Sequence, residues 1–154
     1  MAVFFAFLFL SSLALWMGSV AFFGFIAGPD ISGSVSQVES LRILGRMARP
    51  YLRLTWICGA LAFVSSFFMS PVEGSYVTIR IALSAVLFVL ALYLAFGSGA
   101  KMRSALRALD SAEEGEVPKE ALADFDAFQG SSSQVNGAIL LLGLVVIFIT
   151  AFYG

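Results

Sequence analysis

A pair of sulfur side chains, a cluster of acids and a run of arginines are the groups in this sequence with types and spacing suited to chemistry. Cys58 and Met17 fall at similar depth if the helices carrying them run antiparallel, and two soft sulfur ligands attract Cu(I) or a platinum-like ion. Without a third ligand they make a poor site, and both residue types fill apolar gaps well, so ordinary core packing is expected. Glu113, Glu114, Glu116, Glu120, Asp124 and Asp126 lie close together in sequence. A paired-carboxylate enzyme or a Ca²⁺ loop needs fixed geometry, and no EF-hand spacing is present, so a solvated turn is expected. "FGSGAK", 96–101, lacks the Gly-Lys-Ser/Thr ending of a phosphate loop. There is no histidine, hence no imidazole general base or metal ligand. The lone cysteine excludes an internal disulfide and a CxxC metal motif. No acid, base, nucleophile or metal set assembles, so no catalytic residue, haem or transition-metal cofactor is expected.

The arginines suit a different task. Arg42, Arg46, Arg49 and Arg53 stand at i, i+4, i+7 and i+11, on one helix face if the helix runs straight through Pro50. Contact with anionic lipid headgroups is expected, at about 1 kcal/mol per residue near the surface, together with a topology signal. A docking face for an acidic protein is the alternative. Arg80 stands about one turn inside an apolar stretch, where an unpaired arginine costs several kcal/mol. Snorkelling to the headgroups is expected, pairing with Glu73 is compatible with it, and an anion anchor is the sharper alternative. Gly24 and Gly28 form a G-x-x-x-G pair, with Gly18, Ser19 and Ala21 nearby. Small residues let helix backbones approach closely, so a packing face within a bundle is expected, or else a seam to a second copy or a partner.

Elements of one kind can position these groups. Of the 154 residues 60% are hydrophobic and only 12% charged, about half the charged share usual in soluble domains. A small soluble fold cannot hide that much apolar surface, so part of the solvent must be lipid. The net charge of −1 points to no nucleic acid. Four apolar stretches are expected to span, at about 2–27, 51–70, 76–97 and 135–152, since a hydrocarbon layer of roughly 30 Å takes about 20 helical residues. The first lacks the basic start and cleavage site of a signal peptide and is expected to stop at Gly28-Pro29. The runs are too continuous for barrel strands. The fold class is therefore all-α: a single membrane domain, 1–154, built as a four-helix bundle.

Eight of the nine basic residues fall in or beside the first and third connections. The positive-inside rule makes those connections cytoplasmic and puts both termini outside. "PVEGS", 71–75, is short enough to force an antiparallel hairpin. Val38, Leu41, Leu44 and Ala48 recur at helical spacing and predict an amphipathic lead-in to the second span, bent near Pro50. Met102, Leu106 and Leu109 form an apolar stripe, so the third helix is expected to continue past the membrane. "EEGEV" then breaks it, Pro118 restarts a helix with the stripe Leu122, Phe125, Phe128, and 98–134 is expected to lie as a helical hairpin on or near the inner membrane surface.

Three stretches carry a family likeness. "WMGSVAFFGFIAGP" has a Trp-x-Gly start and a proline stop, "SLRILGRMARPYLRLTW" is a basic lead-in, and "FDAFQGSSSQVNGAILLLGLVVIF" runs from phenylalanine through small polar residues and an asparagine into the last span. Together they resemble the small four-helix membrane proteins of the transmembrane-protein-205-like family, which includes many bacterial inner-membrane proteins of unknown function. The resemblance implies a membrane helix bundle and, for some members, a link to metal or drug tolerance. Family members often carry a histidine before the last helix. Gln129 stands there in this chain, which puts any proton or metal role of that histidine in question. The first expectation for function is a non-enzymatic accessory or structural bundle, with membrane lipids as partners and a homo-oligomer or larger membrane complex as its setting. The second is a small transporter or channel-like protein, for which midplane polarity is limited to Ser65, Ser66, Ser84 and Cys58.

Overall fold

The computed structural model describes residues 2–69, 75–111 and 118–153. Among them all regular structure is helical. There are four long helices: α1, Ala2–Ser34; α2, Gln37–Phe68; α3, Tyr76–Asp110; and α4, Lys119–Tyr153. Each holds a stretch long and apolar enough to cross a membrane.

Local chemistry sets the helix limits. Only Val35 and Ser36 separate α1 from α2. Ser36 is the N-cap of α2, and its hydroxyl accepts a bond from the Glu39 N–H at 3.4 Å. With Glu39 three residues on, this is the serine-x-x-glutamate pattern that starts a helix, and the acid suits the positive helix end. α2 then continues through Pro50. Pro50 and Arg46 are both exposed, so the carbonyl that the proline leaves unbonded, that of Arg46, is open to water or headgroups.

α1 does not stop at Gly28-Pro29 as its sequence predicts. Residues Phe22–Ala27 widen into a π turn, and the Gly28 N–H bonds the Phe23 carbonyl five residues back. This shift restarts the α-helical segment at Gly28 and leaves Pro29 in its first turn. A missing N–H costs least there, so the helix survives its proline. α3 carries a second π turn, Tyr93–Ser98.

The helices form an antiparallel ring in which each packs on its two neighbours in chain order, α1 closing on α4. Phe5 of α1 stacks on Phe68 of α2 at 4.9 Å, while Phe23 stacks on Tyr51. Ser98 of α3 bonds Ser131 of α4 at 2.6 Å. Phe9, Leu13, Trp16, Leu87, Ile139 and Val146 fill the centre. Large apolar side chains also cover the outside, Phe25 at 68% and Leu141 at 69% exposed among them. Such an apolar exterior fits lipid or a partner rather than water. The protein is an all-α membrane four-helix bundle.

The stretch 98–134 differs from its expectation. It is not a separate surface hairpin. Its α3 part continues the third span to Asp110, as its stripe predicts, but its α4 part runs unbroken into the last span. The two predicted stripes face each other: Met102, Leu106, Leu109, Phe125 and Phe128 are all buried. Each stripe covers the other more completely than a membrane surface would, so the bundle extends past its apolar layer. The PVEGS turn up to Gly74 and EEGEV lie outside the described residues.

Candidate functional site

At the end of the bundle where α1 meets α2, a cleft of about 250 Å³ opens between α1 and α4, with Leu44 of α2 behind it. Phe23, Gly24, Gly28 and Pro29 form one wall, and Phe125, Phe128, Gln129 and Asn136 the other. Tyr51 of α2 reaches into this region and donates its hydroxyl to the Asn136 Oδ1 at 2.6 Å. Its ring lies on Phe23, with centroids 4.4 Å apart and planes 6° apart. Both Tyr51 and Asn136 are buried, so this bond satisfies polar groups that water does not reach. At the mouth, Gln129 donates to Ser32 at 3.3 Å, and Ser32 and Ser40 share a bond at 3.2 Å. No acid or base is among the lining residues. The cleft offers amide, hydroxyl and aromatic surfaces, which suit a small neutral group or a partner side chain.

The glycines divide by environment. A side chain on Gly24 would first meet the Asn136 amide nitrogen at 3.7 Å, an ordinary contact, so Gly24 leaves room for the cleft. On Gly28 it would meet the Phe23 carbonyl at 3.0 Å, within the π turn. On Gly18, which is exposed, it would meet nothing within 4 Å. The tightest interhelical approaches are at glycines outside the G-x-x-x-G pair. Leu106 would lie 2.5 Å from a side chain on Gly45, and Met17 2.7 Å from one on Gly143. Ala91 and Trp16 close over Gly59 at 3.1 and 3.4 Å. Leu52 would likewise lie 2.7 Å from a side chain on Gly99, and none of these four glycines belongs to a G-x-x-x-G pair.

The four arginines of α2 are all exposed, but they serve two surfaces. Arg42 and Arg46 line a shallow depression with Ser36 and Glu39. Arg49 and Arg53 line a groove shared with α3. Arg80 does not reach outward: it is 1% exposed and donates through one terminal nitrogen to the Ser66 carbonyl at 3.2 Å. The hydroxyls of Ser65 and Ser84 and the Trp16 indole N–H are buried with no hydrogen-bond partner among the described residues. Glu73, considered as a partner for Arg80, lies outside the described residues.

Cys58 is buried in α2, and Met17 packs on Gly143 of α4. Among the described residues no group of three or more His, Cys, Asp or Glu side chains gathers. Of the acidic cluster, Asp126 accepts a bond from Gln37 at 3.3 Å. Glu113, Glu114 and Glu116 lie outside the described residues.

The class is thus an integral membrane helix bundle with a small uncharged cleft at one end. Residues 11–110 match the family described as a domain of unknown function, DUF4149, and the chain belongs to that family. The matched stretch includes Phe23, Gly24, Gly28 and Tyr51, while Gln129 and Asn136 fall beyond it. No match to the chain was found among the curated proteins or the solved structures.

Proposed function

We propose that this DUF4149 protein is a non-enzymatic helix bundle, a structural or accessory subunit or a homo-oligomer, of the transmembrane-protein-205-like kind. The observation that carries this reading is the filled centre. Trp16 closes over Gly59 with Ala91 beside it, Met17 fills the space at Gly143, and Leu87, Ile139 and Val146 are buried around them. Side chains packed in that layer offer one another dispersion contacts, which supports a structural role. The outer faces, rich in exposed phenylalanine and leucine, remain for lipid or a partner. The protein then sits in a bacterial inner membrane with its basic connections in the cytoplasm and both termini outside. Two experiments test this. A reporter fused after Gly154 should be active outside the cytoplasm and silent inside. Purified protein in vesicles should pass neither monovalent cations nor chloride above the rate of empty vesicles, and a protein-dependent flux would sink the structural reading.

The second reading, a small transporter linked to metal or drug tolerance, has its own supporting observation. Arg80, Ser65 and Ser84 carry buried polar atoms that lack partners among the described residues. Unsatisfied polar groups inside a membrane protein are costly, and transport is one reason to keep them.

A further inference from the structure

The groove between α2 and α3 differs from the rest of the surface in both charge and shape. It measures about 650 Å³. Arg49 and Arg53 of α2 stand on one side and Arg103 and Arg107 of α3 on the other, each pair spaced i, i+4. No acid is among the lining residues. Below the arginines the walls turn apolar, with Leu52, Trp56, Ile57 and Phe96. Trp56, Ile57 and Phe96 are exposed there. The arginines occur where each helix leaves its apolar run: α2 is apolar after Arg53, and α3 is apolar up to Gly97. The antiparallel register brings those two edges to one level, as the approach of Leu52 to Gly99 shows. The level is therefore the rim of the hydrocarbon layer, and a tryptophan just inside it is the residue type that favours that depth.

We propose that this groove binds an anionic phospholipid carrying two phosphodiester groups. Four arginines line one groove with no acid among its lining residues, and like charges at i, i+4 on a helix disfavour it, so the bare arrangement calls for anions. Guanidinium forks match phosphate oxygens in pairs, and one i, i+4 pair from each helix suits one phosphate each. Arg103 is already held in place: its Nη1 donates to the Ala95 carbonyl at 3.2 Å, inside the π turn. The acyl chains would lie along Trp56, Ile57 and Phe96, in the layer where hydrocarbon belongs. A free phosphate ion would use the arginines and leave that wall bare. The proposal goes beyond the structural reading and holds whether the bundle is a scaffold or a transporter; it needs only a bundle that resides in a membrane.

The test is thermal unfolding of delipidated protein in mild detergent, titrated with four probes: tetraoleoyl diphosphatidylglycerol, dioleoyl phosphatidylglycerol, dioleoyl phosphatidylcholine and inorganic phosphate. The two-phosphate lipid should stabilise the protein with an apparent affinity about tenfold or more above that of phosphatidylglycerol, an increment in line with charge-assisted hydrogen bonds. Phosphatidylcholine and inorganic phosphate should have little effect. Arg49→Gln with Arg53→Gln should lose about tenfold or more of that affinity, while Arg42→Gln with Arg46→Gln, an equal loss of charge outside the groove, should keep it within about twofold. Arg103→Gln removes a half-buried bond to the π turn as well, so the α2 pair is the primary variant; Arg107→Gln, which gives up only an exposed bond within α3, is the second. Equal losses in the two α2 double variants would overturn the proposal in favour of diffuse surface charge. Stabilisation by inorganic phosphate matching that of the lipid would overturn it in favour of a free-anion site.

Discussion

In the cleft between α1 and α4 the polar groups are uncharged and answer one another. Tyr51 bonds Asn136, Gln129 bonds Ser32, and Ser32 bonds Ser40. On the α2–α3 side, at the same end of the molecule, four arginines line a larger opening with no acid among the lining residues. The difference teaches how to divide architecture from binding in a membrane bundle. Hydrogen bonds that close within the fold hold helices in register, and their main effect is on stability. Charges left uncompensated at the hydrocarbon rim contribute little to the fold and are free to act on a ligand. Each substitution below bears on one side of that division.

The largest contrast expected is steric. Gly45 is on the floor of the groove, and a side chain there would lie 2.5–2.9 Å from three carbons of Leu106. Gly45→Leu should drive α2 and α3 apart and cost about 3 kcal/mol or more, since overpacking adds strain to lost contacts. Gly24→Leu enters the open cleft, where the first neighbour is 3.7 Å from its Cβ, and should cost about 1 kcal/mol or less. Unfolding in detergent, followed by circular dichroism, ranks the two. If Gly24→Leu proves the worse, the cleft is filled in the working protein, by a second chain or a ligand.

Next comes the buried pair. Tyr51→Phe leaves the Asn136 Oδ1 without its donor and should cost about 1 kcal/mol, within the range measured for hydrogen bonds inside membrane bundles. Asn136→Leu should cost a similar amount alone. The double variant should cost less than the sum, because neither leaves the other's group stranded. Simple additivity would mean that the 2.6 Å bond contributes nothing and that Tyr51 acts through its stacking on Phe23 alone.

These residues also show how much the sequence could reveal. The number of spans, the helical lead-in before Pro50 and the extension of α3 to Asp110 were legible because they rest on apolar periodicity, a strong local signal. The exact start of α2 carries a signal of its own in the Ser36-x-x-Glu39 pattern, which periodicity does not detect. The continuation of α1 past Pro29 was not legible. It depends on a π turn, which no residue type demands. The joining of Tyr51 to Asn136 depends on the register between α2 and α4, and the tight glycines depend on which neighbour faces them. Pair spacing within one helix pointed to Gly24 and Gly28, while the close approaches fell at single glycines on other helices. The cleft draws on three separate stretches of the sequence: Gly24 and Gly28 from 16–29, Leu44 from 40–56, and Gln129 and Asn136 from 125–148.

A smaller effect is expected at the mouth of the cleft. The Gln129 to Ser32 bond, at 3.3 Å, is exposed. Gln129→Ala should change stability by no more than about 0.5 kcal/mol, the range for surface substitutions. Gln129→His, which places an imidazole there, should be equally mild. A larger loss with either would extend the closed hydrogen-bond set outward to include the mouth and make it part of the architecture.

The smallest expected change is at Arg53, and its sign matters more than its size. In delipidated protein at low salt, Arg53 faces Arg49 one turn away and the two arginines of α3 across the groove. Arg53→Gln removes one of these like charges, so the bare protein should be unchanged or stabilised by about 0.3 kcal/mol. The gain should shrink as salt is raised, because exposed charges are screened over about 10 Å at 0.1 M. Adding the two-phosphate lipid should reverse the order and leave wild type the more stable, since only it holds the full set of phosphate contacts. That reversal has no counterpart on the α1–α4 side, where Tyr51→Phe should destabilise with and without lipid alike. If Arg53→Gln is instead destabilising in bare protein and lipid changes nothing, then Arg53 belongs to the fold, and the division between a self-satisfied side and an open side fails at its clearest point.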